Sequence, residues 1–212
     1  MPKTLLLNAS PRENGTSHML CMRLKTSLHG TYRSLYGKTN TPQSLLQSIQ
    51  EADTIVLIGS CYCNSYPGNV TELFEYLADY KDQLTDKVWY GIIHGGMPYT
   101  HTHESGLKHL EYFCKCCDMS YKGGFIITMA PMLNGKPLEK HLFSKTIVPA
   151  FEKFTEAIKT QAVSPDSLYQ SLEPKMPFII TKAFSLFLSH SVDQSLKKYG
   201  LNPKDKSPYL KD

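Results

Sequence analysis

Thr4-Leu5-Leu6-Leu7-Asn8-Ala9-Ser10-Pro11-Arg12-Glu13-Asn14-Gly15-Thr16-Ser17 reads as a strand, a turn and the start of a helix. The leucine run is short and bounded by turn residues, which suits a buried strand, while Ser17 to Leu28 sets Leu20, Cys21, Leu24 and Leu28 on one helical face. Between them, Asn8 to Ser17 combines hydroxyls at Ser10, Thr16 and Ser17 with the charge of Arg12 and a glycine where the helix begins. The first N–H groups of a helix have no partner within it and lie at the positive end of its dipole, so a turn of this composition suits a phosphate. The plainer reading is that the hydroxyls cap the helix and bind nothing.

The same rhythm repeats along the chain. Thr31 to Tyr36 is a second strand, and Thr41-Pro42 opens a helix that carries Leu45, Leu46, Ile49 and Ala52 inward. Thr54 to Gly59 is an unbroken apolar run of the kind buried on both faces of a parallel sheet, and Val70, Leu73, Phe74 and Leu77 follow at helical spacing. Lys87 to Ile93 is a fourth strand with a helix from about Glu104 to Cys117 behind it. Gly123 to Thr128 is a fifth, followed by a helix from about Lys140 to Thr160. Strands alternating with helices and joined by right-handed crossovers give an α/β fold, a doubly wound five-stranded parallel sheet with helices on both faces. The expected boundary lies at Ser164-Pro165, with a first domain over 1–163 and a helical extension over 164–212. In the extension, Phe178, Phe184, Phe187 and Leu188 are expected to pack on the domain or on a second subunit, a homodimer.

In an open α/β sheet, ligands bind beyond the carboxyl ends of the strands, so the loops after Leu7, Gly59, Ile93 and Thr128 should carry function. Two phosphate loops are excluded by their mechanics. There is no Gly-x-x-x-x-Gly-Lys, and so no lysine for the outer phosphates of a nucleoside triphosphate. There is no Gly-x-Gly-x-x-Gly either, and the second strand ends in Tyr36-Gly37-Lys38 in place of an acid that could hold a ribose. A monophosphate fits the turn better than a pyrophosphate.

The 212 residues are 41% apolar and 20% charged, with a net charge of +4 and no basic stripe, so no nucleic-acid partner is expected. The apolar region before Asn8 is too short for a signal peptide, and Phe178 to Leu188 is too short and too polar for a membrane span, so a cytoplasmic protein is expected. The six cysteines are then expected as thiols. Cys114 and Cys117 continue the face of Leu107 and Leu110 and read as core, and no C-x-x-C pair lies elsewhere to complete a metal site, so no metal is expected.

Asn8-x-Ser-Pro-Arg-x-x-Gly-Thr-Ser after a leucine strand resembles the first loop of the flavodoxin-like NAD(P)H-dependent FMN reductase and oxidoreductase family. The likeness runs in order and spacing over about residues 3 to 160. It implies a flavodoxin-like fold in which Ser10, Arg12, Asn14, Gly15, Thr16 and Ser17 wrap the FMN phosphate. The stretch Ser60-Cys61-Tyr62-Cys63-Asn64-Ser65-Tyr66-Pro67-Gly68 is similar to the family's second loop, which implies that Tyr62, Cys63 and Asn64 lie along the isoalloxazine ring. His94-Gly95-Gly96-Met97 resembles the third, whose glycines let backbone amides approach the flavin's pyrimidine edge. The sequence departs from the family where Ser60 replaces a proline, Thr71 a lysine, and Glu75-Tyr76 an Asp-Arg pair.

The resemblance also implies that Tyr99, His101 and His103 overhang the flavin, where they would meet a substrate or shuttle a proton. Cys61-x-Cys63 supplies too few thiols for the iron-sulfur cluster of related flavoproteins. The expected activity is transfer of hydride from NADPH or NADH through FMN to a quinone, a flavin or a similar small-molecule acceptor. The cofactor carries that chemistry, which accounts for the lack of a catalytic triad or carboxylate pair. The alternatives are a flavodoxin-like electron carrier without nicotinamide turnover and a scaffold that binds no flavin.

Overall fold

In the computed structural model, which describes residues 2–37, 40–174 and 178–202, the leucine run forms β1 (Thr4–Asn8), buried at every position. The chain continues through α1 (Thr16–Leu28), β2 (Thr31–Ser34), α2 (Pro42–Gln50), β3 (Thr54–Ser60) and α3 (Gly68–Ala78). It then runs through β4 (Val88–His94), α4 (Glu104–Cys116), β5 (Ser120–Ile127), α5 (Ser144–Thr160), α6 (Ser167–Gln170) and α7 (Phe178–Lys198). Two helix ends show their local cause. Thr41, extended, accepts from the Ser44 N–H at 3.2 Å with Pro42 in the first turn, and α1 ends where His29 turns left-handed at φ 51°.

The sheet is all parallel in the order β2-β1-β3-β4-β5. Both faces are covered, and two adjacent residues of β4 show how. Trp89 meets Phe74 of α3 and Phe113 of α4 edge-on, and those two phenyl rings stack at 4.0 Å. Tyr90, pointing the other way, packs edge-on against Phe154 of α5 and donates its hydroxyl to the Ala162 carbonyl at 2.6 Å. Side chains of this size buried on opposite faces of one strand dominate the stabilisation.

The element boundaries shift from the sequence expectation where polarity hides pairing. β5 begins at Ser120, because Ser120 and Tyr121 pair with Val88 and Trp89 although the first residues of this edge strand are exposed or half-buried. α5 begins at Ser144, not near Lys140, since Leu138–Lys140 is a single 3₁₀ turn and His141 accepts the Phe143 N–H.

Two compact units are present, Met1–Glu173 and Pro174–Asp212. The sequence put the division at Ser164, but α6 stays with the sheet, where Ser164 N–H donates to Lys122 O and Tyr169 is buried. The second unit holds α7. The side chains of Phe178, Phe184, Phe187 and Leu188, expected to pack, lie outside the described residues. Among the described residues no helix is long and apolar enough to cross a membrane.

Candidate functional site

All strands run the same way, so the loops after β1, β3, β4 and β5 meet at one end of the sheet. They enclose an open cleft of about 250 Å³. The first loop is built on Asn8, which is buried. Its Oδ1 accepts the Ser10 N–H at 3.0 Å and its Nδ2 donates to Tyr32 Oη at 3.1 Å, fixing the chain as it leaves the sheet. Ser10 Oγ in turn accepts the Arg12 N–H.

α1 then begins at an extended Gly15 with no side-chain hydrogen bond to its first amides. The hydroxyls of this turn are therefore not spent as helix caps, and the amide end of α1 carries no side-chain cap. Ser10, Arg12, Gly15 and Thr16 line the cleft, as do Tyr62, His94, Gly95 and Gly96 on its other side. No Asp or Glu is among the described lining residues.

Other expected site residues lie elsewhere. Ser17 is fully buried beneath the loop, sharing a 2.6 Å hydrogen bond with His94 Nε2. Burial, with the nearby His103 as the second cause, holds His94 neutral by lowering its pKa to about 4. Asn14 is exposed and turned away from the cleft lining. Cys63 and Asn64 form the tip of a tight turn closed by Tyr62 N–H to Ser65 O at 2.7 Å and Ser65 N–H to Tyr62 O at 3.1 Å. Their φ angles of 48° and 65° mark a two-residue hairpin of the primed type, and both tips are exposed outside the cleft lining.

Tyr99, His101 and His103 do not line the cleft. His101 is exposed and stacks on Tyr99 at 5.7 Å. Their loop is held by Glu173, which accepts from the N–H and the hydroxyl of Thr100. His103 is buried, and its Nδ1–H donates to Tyr99 O at 3.0 Å. Its ring fills the space where Gly95 lacks a side chain, so any Cβ there would collide with it. Among the described residues the Gly96 amide has no protein partner, while Gly95 N–H is taken by Ile127 O.

Four lining residues were not among those expected at the site, Cys61 being one. Ser60 had been noted only as a departure from the family pattern, and Pro131 and Asn134 come from the loop after β5. Arg12 Nη2 donates to Asn134 Oδ1 at 2.6 Å, and Thr16 Oγ1 to Ala130 O at 3.4 Å. The available signal was Asn134-Gly135, a strong turn dipeptide at the carboxyl end of a strand.

The likenesses found are to solved structures. The fold is flavodoxin-like. A Trp repressor binding protein from Bacillus subtilis is similar at a TM-score of 0.58 and 14% identity, over 78% of this chain and 99% of that one. An apo NADH:FMN oxidoreductase is similar at 0.60 and 13%, over 80% and 94%. An NADPH-quinone reductase from P. pentosaceus is similar at 0.54 and 13%, over 77% and 99%. No protein-family model and no curated protein matches the sequence. Likeness at this identity concerns the fold.

Proposed function

We propose that the chain is an FMN-dependent NAD(P)H oxidoreductase that passes electrons from NADPH or NADH to a quinone, a flavin or a similar small acceptor. The observation that carries this reading is one cleft with an uncapped helix start and Arg12 at one end and a glycine wall with a free Gly96 amide at the other.

The residues fit the cofactor at both ends. The phosphate end has groups able to donate, the first amides of α1, the Ser10 and Thr16 hydroxyls and the Arg12 guanidinium, with no carboxylate to repel an anion. At the other end the Gly96 N–H can donate to the polar edge of a ring, and Tyr62, 51% exposed, offers an aromatic face. Bound FMN would supply the hydride chemistry, so the chain needs no nucleophile of its own. What the protein does is hold, orient and leave access. His94, kept neutral, adds no charge to the cleft wall.

The test is to load the protein with FMN and add NADPH or NADH without oxygen. Loss of the flavin's visible absorbance, and its return on adding a quinone, is the expected result. A bound flavin that stays oxidised with both donors would overturn the enzyme reading in favour of an electron carrier. A protein that takes up no FMN would overturn both.

A further inference from the structure

The segment after β5 is strapped across the phosphate end of the cleft. Its near end is tied to the β4 loop, where Met129 N–H donates to Met97 O and Ala130 N–H to Gly95 O. From the far side, His141 Nε2–H donates to Thr128 O at 2.8 Å. Between these ties it touches the phosphate loop at three places. Thr16 reaches the Ala130 carbonyl, Arg12 reaches Asn134, and Gly135 lies so close to Asn14 that a Cβ would run into the Asn14 carbonyl oxygen. Left-handed backbone at Met129 (φ 52°), Asn134 (φ 49°) and Gly135 (φ 80°) bends the segment into place.

The chemistry of the Arg12 contact matters as much as its position. Asn134 is a neutral acceptor, so it occupies one of the guanidinium's five N–H groups and fixes its plane while leaving its charge whole. A carboxylate in the same place would cancel that charge. A terminal phosphate monoester carries about −1.5 to −2 charge at pH 7 and three free oxygens. Within the pyrophosphate of FAD the same phosphate has less charge, fewer free oxygens and a second arm, for which the side of the cleft lined by Arg12 and Asn134 would have to make room.

Resting on the flavin reading above, we propose that Asn134 is a positioning residue for Arg12 and that the strap selects a terminal phosphate monoester, FMN, against the dinucleotide FAD. The experiment measures the affinity of the full chain for FMN, riboflavin and FAD by quenching of flavin fluorescence. Wild type should bind FMN about tenfold or more tightly than either of the others.

Asn134→Asp keeps the shape and tolerates the left-handed backbone. It should weaken FMN about tenfold while leaving riboflavin within about twofold, because only the phosphate senses Arg12. Asn134→Ser, which removes the amide without adding charge, should weaken FMN less, by about threefold. Equal affinity of wild type for FMN and FAD, or FMN affinity unchanged in Asn134→Asp, overturns the inference. If Asn134→Asp loses its far-UV circular dichroism, Asn134→Ser decides alone, and unchanged FMN affinity there overturns it. A wild type that binds FMN no better than riboflavin also overturns it while sparing the flavin reading. Binding of none of the three overturns that reading and the inference with it.

Discussion

His94 shows how much chemistry a single side chain sets at this site. It lies in the cleft wall, it is bonded to Ser17 at the start of α1, and burial holds its pKa at about 4. In the unfolded chain it titrates near 6.5, so between those values the unfolded state binds the extra proton. Its contribution to stability is therefore complete above pH 6.5 and lost as pH falls toward 4, by about 3 kcal/mol in all. His103 and His141, also lowered chiefly by burial, act in the same direction. Urea unfolding should show stability dropping steeply below pH 6.5. His94→Asn should remove about 1.4 kcal/mol per pH unit from that slope, and an unaltered slope would show that His94 is not the buried neutral group described. The chain's histidines were visible in the sequence, but which of them are buried was not. His101 and His103 looked alike there, while one is exposed and the other fills the space beside Gly95.

At the scale of the elements, the strands and helices that follow clear periodicity were legible, and so was the first loop, since Asn8, Ser10, Arg12, Gly15 and Thr16 occur together at the helix start. The hairpin tip was not. Tyr62, Cys63 and Asn64 were expected along one ring. A two-residue turn instead sends Cys63 and Asn64 outward, a result of dihedral angles that composition does not announce. Because Cys63 sits at φ 48° in a region costly to residues with a Cβ, Cys63→Gly should raise stability by about 1 kcal/mol, read as a higher urea midpoint with unchanged slope. A lower midpoint would mean that the turn is held by the Cys63 side chain. The strap after β5 escaped notice because its working residues, Asn134 and Gly135, carry a turn signal and not a chemical one. Gly135→Val should both strain the backbone and collide with Asn14, lowering the melting temperature by several degrees, as about 1 to 2 kcal/mol would in a domain of this size. No change in melting temperature would show that the strap is free to move away.

For the molecule as a whole, alternation of strand and helix was enough to give a doubly wound sheet of five parallel strands, because right-handed crossovers leave few topologies open, while the order β2-β1-β3-β4-β5 came from the structure. The extent of the first unit was less legible. Ser164-Pro165 looked like a boundary, yet the Tyr90 hydroxyl holds the Ala162 carbonyl and the Lys122 carbonyl holds the Ser164 N–H, contacts to the backbone that sequence does not display. Every residue lining the cleft belongs to the unit that ends at Glu173. If the turn from Asn8 to Ser17 holds the phosphate of FMN, as proposed, FMN affinity will separate the wild type from Arg12→Ala combined with Thr16→Ala. Charge-assisted contacts of this kind are worth about 1.5 to 3 kcal/mol each, so the double variant should bind FMN more weakly by at least about tenfold with its circular dichroism unchanged. Equal affinity in the two proteins would show that the turn merely starts a helix.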